Sequence, residues 1–207
     1  MSLHKQLLRD VFYCTQCKPS YGFKPLSSNG PYSKFPPTIG ALDKADLLFV
    51  GINPRISDNS KSYNKDLFQR IMTSKNAFAD LAVNLDGSER YIAKDGKEKH
   101  YHHHVDITEA MFGMGAKFEE HAAVTELFFC ATKNAQNLPK YSYPCADLFF
   151  DRVFLKVRPR LVVCVWKSAF EYFRRRFGIK GTESFLITIG GHKSMVVYLP
   201  HPNTNRR

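Results

Sequence analysis

The chain has 207 residues, of which 43% are hydrophobic and 24% charged, and its 30 Lys and Arg against 19 Asp and Glu give a formal charge of +11. That size suits one hydrophobic core, so a single domain over 1–207 is expected rather than two. The positive excess creates a field able to attract a polyanion, solubility alone being the plainer alternative, and no apolar run approaches the length needed to cross a bilayer.

The chain start, Met1 to Tyr13, carries Lys5, Arg9 and Asp10 among its apolar residues and does not read as an export signal, so a cytoplasmic protein is expected. Cys14-Thr15-Gln16-Cys17 follows. With Cys130, Cys145 and Cys164 it makes five cysteines, an odd number that argues against a disulfide framework and favours metal ligation for some of them. Lys18 to Leu42, with Gly30-Pro31 and Pro36-Pro37, has turn chemistry and reads as a loop.

The first buried strand is expected over Asp46 to Ile52, an apolar run that stops abruptly in Gly51-Ile52-Asn53-Pro54. In parallel sheets the ligand crevice lies at the carboxyl ends of the strands, so Asn53 would point into it. Leu67, Phe68, Ile71 and Met72 make one apolar helical face. Residues 84–117 are polar and glycine-bearing and read as an insertion. Within it, His102, His103 and His104 would point in different directions on any regular element, which suggests a solvated loop rather than a metal site.

Further strands are expected over Glu126 to Cys130, Arg160 to Trp166 and Met195 to Leu199. Leu148, Phe149, Val153, Phe154 and Val157 form a second helical face, and Ala169, Phe170, Phe173 and Phe177 a third, with Arg174-Arg175-Arg176 as a solvated face. Cys164 sits inside an apolar run and reads as a small core hydrophobe. Phe185 to Ile189, ending in Gly190-Gly191, either pairs with the last strand as a hairpin or lies at the sheet edge. The last strand delivers Pro200-His201-Pro202-Asn203 at its carboxyl end. Strands alternating with helices indicate an α/β fold, a three-layer α/β/α arrangement around a central, mostly parallel four-stranded sheet.

Taken together, Gly51-Ile52-Asn53-Pro54 after one core strand and His201-Pro202-Asn203 after another resemble the two motifs of the uracil-DNA glycosylase superfamily. Cys14 and Cys17 before the first strand, Cys130 ending the second and Cys145 fifteen residues later at a helix start resemble its iron-sulfur branches. The resemblance implies a DNA glycosylase of base-excision repair, acting as a monomer on single- or double-stranded DNA to hydrolyse the N-glycosidic bond of uracil or another damaged, flipped-out base. It implies that Asn53 positions the attacking water and that His201 stabilises the leaving base. The main chain at Gly51 and Ile52 would contact the base, Tyr63 or Phe68 would stack on it, and Asn203 and Arg206 would bind substrate beside them. Cys14, Cys17, Cys130 and Cys145 would hold a [4Fe-4S] cluster, structural zinc being the alternative, since both need converging thiolates.

Two positions depart from the family pattern. Where relatives commonly carry an asparagine near the end of the second strand, this chain has Glu126, and an ionised carboxylate only accepts hydrogen bonds. Arg55 stands where the first motif often has glycine. Both keep two other readings open: a catalytically inactive nucleic-acid-binding protein of the same fold, and an enzyme acting on a small nucleotide.

Overall fold

The structure is a computed structural model, and it describes residues 3–16, 38–40, 45–52, 102–130, 138, 143–181 and 183–200. In chain order the described elements are α1 (Leu3–Tyr13), β1 (Ile39–Gly40), β2 (Leu47–Gly51), α2 (His102–Phe112), α3 (Phe118–His121), β3 (Ala122–Glu126), α4 (Pro144–Val157), β4 (Leu161–Cys164), α5 (Lys167–Arg176), β5 (Ser184–Ile189) and β6 (His192–Tyr198).

Every residue of β2 and of β3 is buried, because their positions in the sheet cover both faces and leave no solvent side for polar residues. The sheet order is β1-β3-β2-β4-β6-β5. Strand β2 pairs in parallel with β3 on one side and β4 on the other, and β4 pairs in parallel with β6. The edges are antiparallel, β1 against β3 and β5 against β6. Strand β5 alternates exposed and buried residues, turning Phe185, Ile187 and Ile189 inward, as a strand with one face in the core must. Gly190 and Gly191, at φ of 52° and 79°, supply the two left-handed residues that a tight hairpin turn into β6 requires.

Side-chain alternation along the strands divides the apolar residues into two clusters. Leu48, Val50, Ala123, Val162 and Val196 pack with Leu7 and Val11 of α1, with Phe149, Phe150, Val153 and Phe154 of α4, and with Phe170 and Phe173 of α5. Leu47, Phe49, Ala122, Val124 and Val163 pack with Phe118 of α3 and the half-buried Val105 and Ile107 of α2. Helix α4 starts at Pro144, whose missing N–H costs nothing in a first turn. It ends at Arg158 in the left-handed region, with Pro159 next in the chain. Among the described residues, no helix is long and apolar enough to cross a membrane.

Several expectations are corrected. Among the described residues the sheet has six strands rather than four, because the pair Ile39–Gly40 and the run Ser184–Ile189 add one strand at each side. The second core strand runs over Ala122–Glu126, so Glu126 ends it rather than beginning it. The apolar run Leu127–Phe129 is buried for another reason: it packs on α4 and its approach, with Phe128 against Tyr143 and Phe129 against Phe149. The histidine run opens helix α2 instead of lying in a solvated loop, and His104 is buried. Within Arg174–Arg176, Arg176 is not simply solvated. It makes two bonds to the Asp151 carboxylate, at 2.8 and 2.7 Å, and one to the Tyr172 hydroxyl at 3.0 Å, while that hydroxyl donates to Asp147, so α5 is tied to α4. The expected helix at Leu67–Met72 and most of the loop at 18–42 lie outside the described residues.

Candidate functional site

The parallel strands β3, β2, β4 and β6 all end on one edge of the sheet, and the pairing continues past the strand ends there. Leu127 donates its N–H to the Gly51 carbonyl at 3.1 Å and Phe128 to the Ile52 carbonyl at 2.8 Å, so the chain leaving β2 is held against the chain leaving β3. On the other flank, Leu199 donates to the Cys164 carbonyl at 3.1 Å, which carries the β6 ladder one residue beyond its last strand position. Strand β4 alone separates β2 from β6, so the two chains leave the sheet about 10 Å apart, two strand spacings. Open α/β sheets bind ligands outside such carboxyl ends where the chain connections diverge in direction. That condition is met here, since the chain passes from β2 to β3 on one side and from β4 towards β6 on the other.

Of the residues proposed from sequence, Gly51, Ile52 and Glu126 are brought together at this edge. Asn53 follows Ile52 in the chain and His201 follows Pro200, but both lie outside the described residues, as do Arg55, Tyr63, Phe68, Asn203, Arg206 and Cys17.

Glu126 faces Gly51 across the β2–β3 pairing. A methyl group added at Gly51 would come within 2.6 Å of the Glu126 carboxyl carbon and 2.7 Å of its Oε1, so the missing side chain at 51 is what leaves room for the carboxyl group. Glu126 is only 5% exposed, and its Oε2 has no hydrogen-bond partner among the described residues. Burial without a compensating charge disfavours the ionised form and pushes this carboxyl up to about 8 from its ordinary 4.5. Burial thus favours the neutral acid, with one O–H donor and a carbonyl acceptor, over the ionised form that only accepts.

The face of the sheet that carries Gly51 and Glu126 continues downward into an aromatic stack. Phe49, two residues before Gly51, meets the His104 ring edge-on at 4.5 Å and lies against Phe118 at 6.0 Å. Thr108 donates its hydroxyl to the His104 carbonyl at 2.7 Å within α2. Sequence reasoning missed this role for His104. Its signal was the spacing of His104 and Thr108, one helical turn apart and both buried.

The cysteines divide as follows. Cys130 and Cys145 are buried in the cluster formed with α1, α4 and α5, and the half-buried Cys14, one residue past α1, packs against the same cluster. Cys145 is the second residue of α4, the helix start expected from sequence, and Cys130 lies four residues beyond β3. Arg152 of α4 binds Asp10 of α1 at 2.8 Å, which fixes the helix that leads into Cys14 to the helix bearing Cys145. Among the described residues, no group of three or more His, Cys, Asp or Glu is placed to hold a metal ion, and Cys17 stands outside them. Cys164 is fully buried in β4, where burial pushes its thiol up, and it is a core residue as expected.

No known protein-family model matches this chain, and no curated protein sequence matches it.

Proposed function

We propose that this protein is a DNA glycosylase-like enzyme with a three-layer α/β/α fold, which draws a damaged base out of nucleic acid and hydrolyses its glycosidic bond at the carboxyl edge of the sheet. The observation that supports the reading is the parallel arrangement of β2, β4 and β6, whose carboxyl ends share one edge of the sheet, Asn53 following Gly51 by two residues and His201 following Tyr198 by three in the sequence.

Bond cleavage leaves positive charge on the sugar and negative charge on the departing base, so preorganised groups must serve both. In this reading the Asn53 amide oxygen accepts a hydrogen bond from the attacking water and orients it, while His201 donates a hydrogen bond to the leaving base. Extrusion of the nucleotide costs a few kcal/mol, and the excess of Lys and Arg offsets part of that through phosphate contacts. Tyr63, or Phe68, stacks on the base, and Asn203 and Arg206 bind the substrate near His201.

A [4Fe-4S] cluster on Cys14, Cys17, Cys130 and Cys145 would act as a structural tie between the chain before the sheet and the start of α4. Support comes from the chain order of these cysteines and from the single apolar cluster on which the three described ones border. Anaerobically purified protein is expected to be brown and to contain iron. Stoichiometric zinc without iron would replace the cluster with the zinc alternative.

The activity is tested by incubating the protein with single- and double-stranded oligonucleotides carrying uracil, hypoxanthine and other altered bases, followed by cleavage at abasic sites. Strand scission that an Asn53→Ala, His201→Ala double variant lacks is the expected result. Salt-dependent binding with no base release across the panel would turn the reading to a binding protein, and failure to bind oligonucleotides at low salt to a small-nucleotide enzyme.

A further inference from the structure

The two outer strands of the sheet are built differently. An unpaired edge offers a row of backbone donors and acceptors to any other strand, and proteins guard such edges by keeping them short or by placing charges, proline or a bulge on them. Strand β1 is short, at two residues. Strand β5, the outermost on the other side among the described residues, runs for six residues, Ser-Phe-Leu-Ile-Thr-Ile, with no charge and no proline, and its residue-for-residue register against β6 holds no bulge. In a chain of which 24% is charged, this edge is left unguarded.

The hairpin fixes which backbone groups face outward. In a two-residue hairpin the residues flanking the turn share both backbone bonds, and this sharing recurs at every second position. Ile189 flanks Gly190-Gly191 opposite His192, so Ile189, Ile187 and Phe185 bond to β6. The N–H and C=O groups of Ser184, Leu186 and Thr188 therefore point away from the sheet. The side chains of the same residues are exposed, and Leu186, at 61% exposure, stands opposite Met195 of β6, at 36%.

We propose that a second copy of this chain pairs antiparallel with β5, about a two-fold axis that passes through Leu186 normal to the sheet. In that register Leu186 faces Leu186 of the second copy, and Ser184 of each copy faces Thr188 of the other. Every outward N–H of one strand then meets an outward carbonyl of the other, whereas a shift of two residues would leave Ser184 or Thr188 without a partner. The side chains agree with the same axis. Leu186 and Met195 of both copies join into one apolar stripe, and Glu183, the charge nearest the start of β5, is brought to the hairpin end of the other copy, which carries Lys193. A chain of +11 repels itself, so an uncharged edge is where two copies approach with least repulsion, while a polyanion would find no positive side chain along β5. The pairing departs from the monomer that the family resemblance implies, and it does not rest on the glycosylase reading. The axis reverses strand direction, so the carboxyl ends of β2, β4 and β6 in the two copies face away from each other and neither copy covers the other's carboxyl edge.

Sedimentation equilibrium of the full chain over a dilution series from about 500 μM to about 1 μM, which spans weak to moderate association, is expected to show twice the 23.7 kDa chain mass at the top and the chain mass at the bottom. Leu186→Lys sets like charges directly opposite each other on the axis, at a position exposed in the single chain, and is expected to keep the monomer mass throughout. Amide hydrogen exchange on the wild type supplies a readout that the folding of a variant does not affect. Phe185, Ile187 and Ile189 are expected to be protected at every concentration. Ser184, Leu186 and Thr188 are expected to exchange fast when dilute and to slow by about fivefold at about ten times the dimer Kd, where mass action leaves about one chain in five monomeric. A wild type that stays monomeric, a dimer that Leu186→Lys leaves intact, or outward amides whose exchange ignores concentration would each overturn the proposal. Assembly beyond two copies would do the same, since a two-fold pairing closes on itself.

Discussion

Replacing Glu126 by Gln keeps the size and shape of the side chain and removes its proton equilibrium, so the pH dependence of stability isolates what burial does to this carboxyl. In the unfolded chain the group ionises around its ordinary 4.5, whereas in the folded protein it holds its proton up to about 8. Between those values the folded state binds more protons than the unfolded state, so the stability of the wild type falls as pH rises. The loss is about 1.4 kcal/mol per pH unit, begins above 4.5 and levels off beyond about 8, for a total of about 5 kcal/mol across the window. Glu126→Gln lacks this slope and is expected to be more stable than the wild type near neutral pH and above. Urea unfolding of both proteins at a series of pH values measures the difference, and the comparison cancels every contribution that the two proteins share. Equal pH slopes in the two proteins would refute the argument, as would a wild type that gains stability over the variant as pH rises.

Three further outcomes follow from the same geometry. Gly51→Ala places a methyl group against the Glu126 carboxyl and should cost about 1–3 kcal/mol of stability, as overpacking does, while adding Glu126→Ala should recover part of it, giving a non-additive double-mutant cycle in denaturant unfolding. The Arg176–Asp151 pair joins α5 to α4 at a half-exposed position, so a cycle between Arg176→Met and Asp151→Asn should show a coupling of about 0.5–1 kcal/mol that shrinks at high salt. Oligonucleotide affinity should fall steeply between low and moderate salt because phosphate contacts release counterions, and a salt-independent affinity in a titration series would count against the role given to the +11 charge.

The strands at the heart of the sheet were legible locally. Leu47–Gly51 and Leu161–Cys164 are short apolar runs because a strand covered on both faces has no use for polar residues, whereas the end of β6 reads as an apolar run although Met195 is exposed and Val197 half-buried. The same reasoning placed Cys164 in the core and Cys145 at a helix start. The edge strand β5 was harder, since alternation is compatible with a hairpin or an independent edge, and only its register against β6 settles that it is both.

Tertiary packing decided the rest. Ala122 to Cys130 is apolar apart from Thr125 and Glu126, so periodicity alone does not tell its strand half from the half that packs on α4, and only the pairing with β2 puts the strand end at Glu126. The protonation of that carboxyl and the burial of His104 are likewise properties of what surrounds a residue rather than of its neighbours in the chain. Desolvation is set by the other elements that close over a group: Gly51 on the adjoining strand makes room for the acid, and Phe49 of β2 meets the imidazole edge-on.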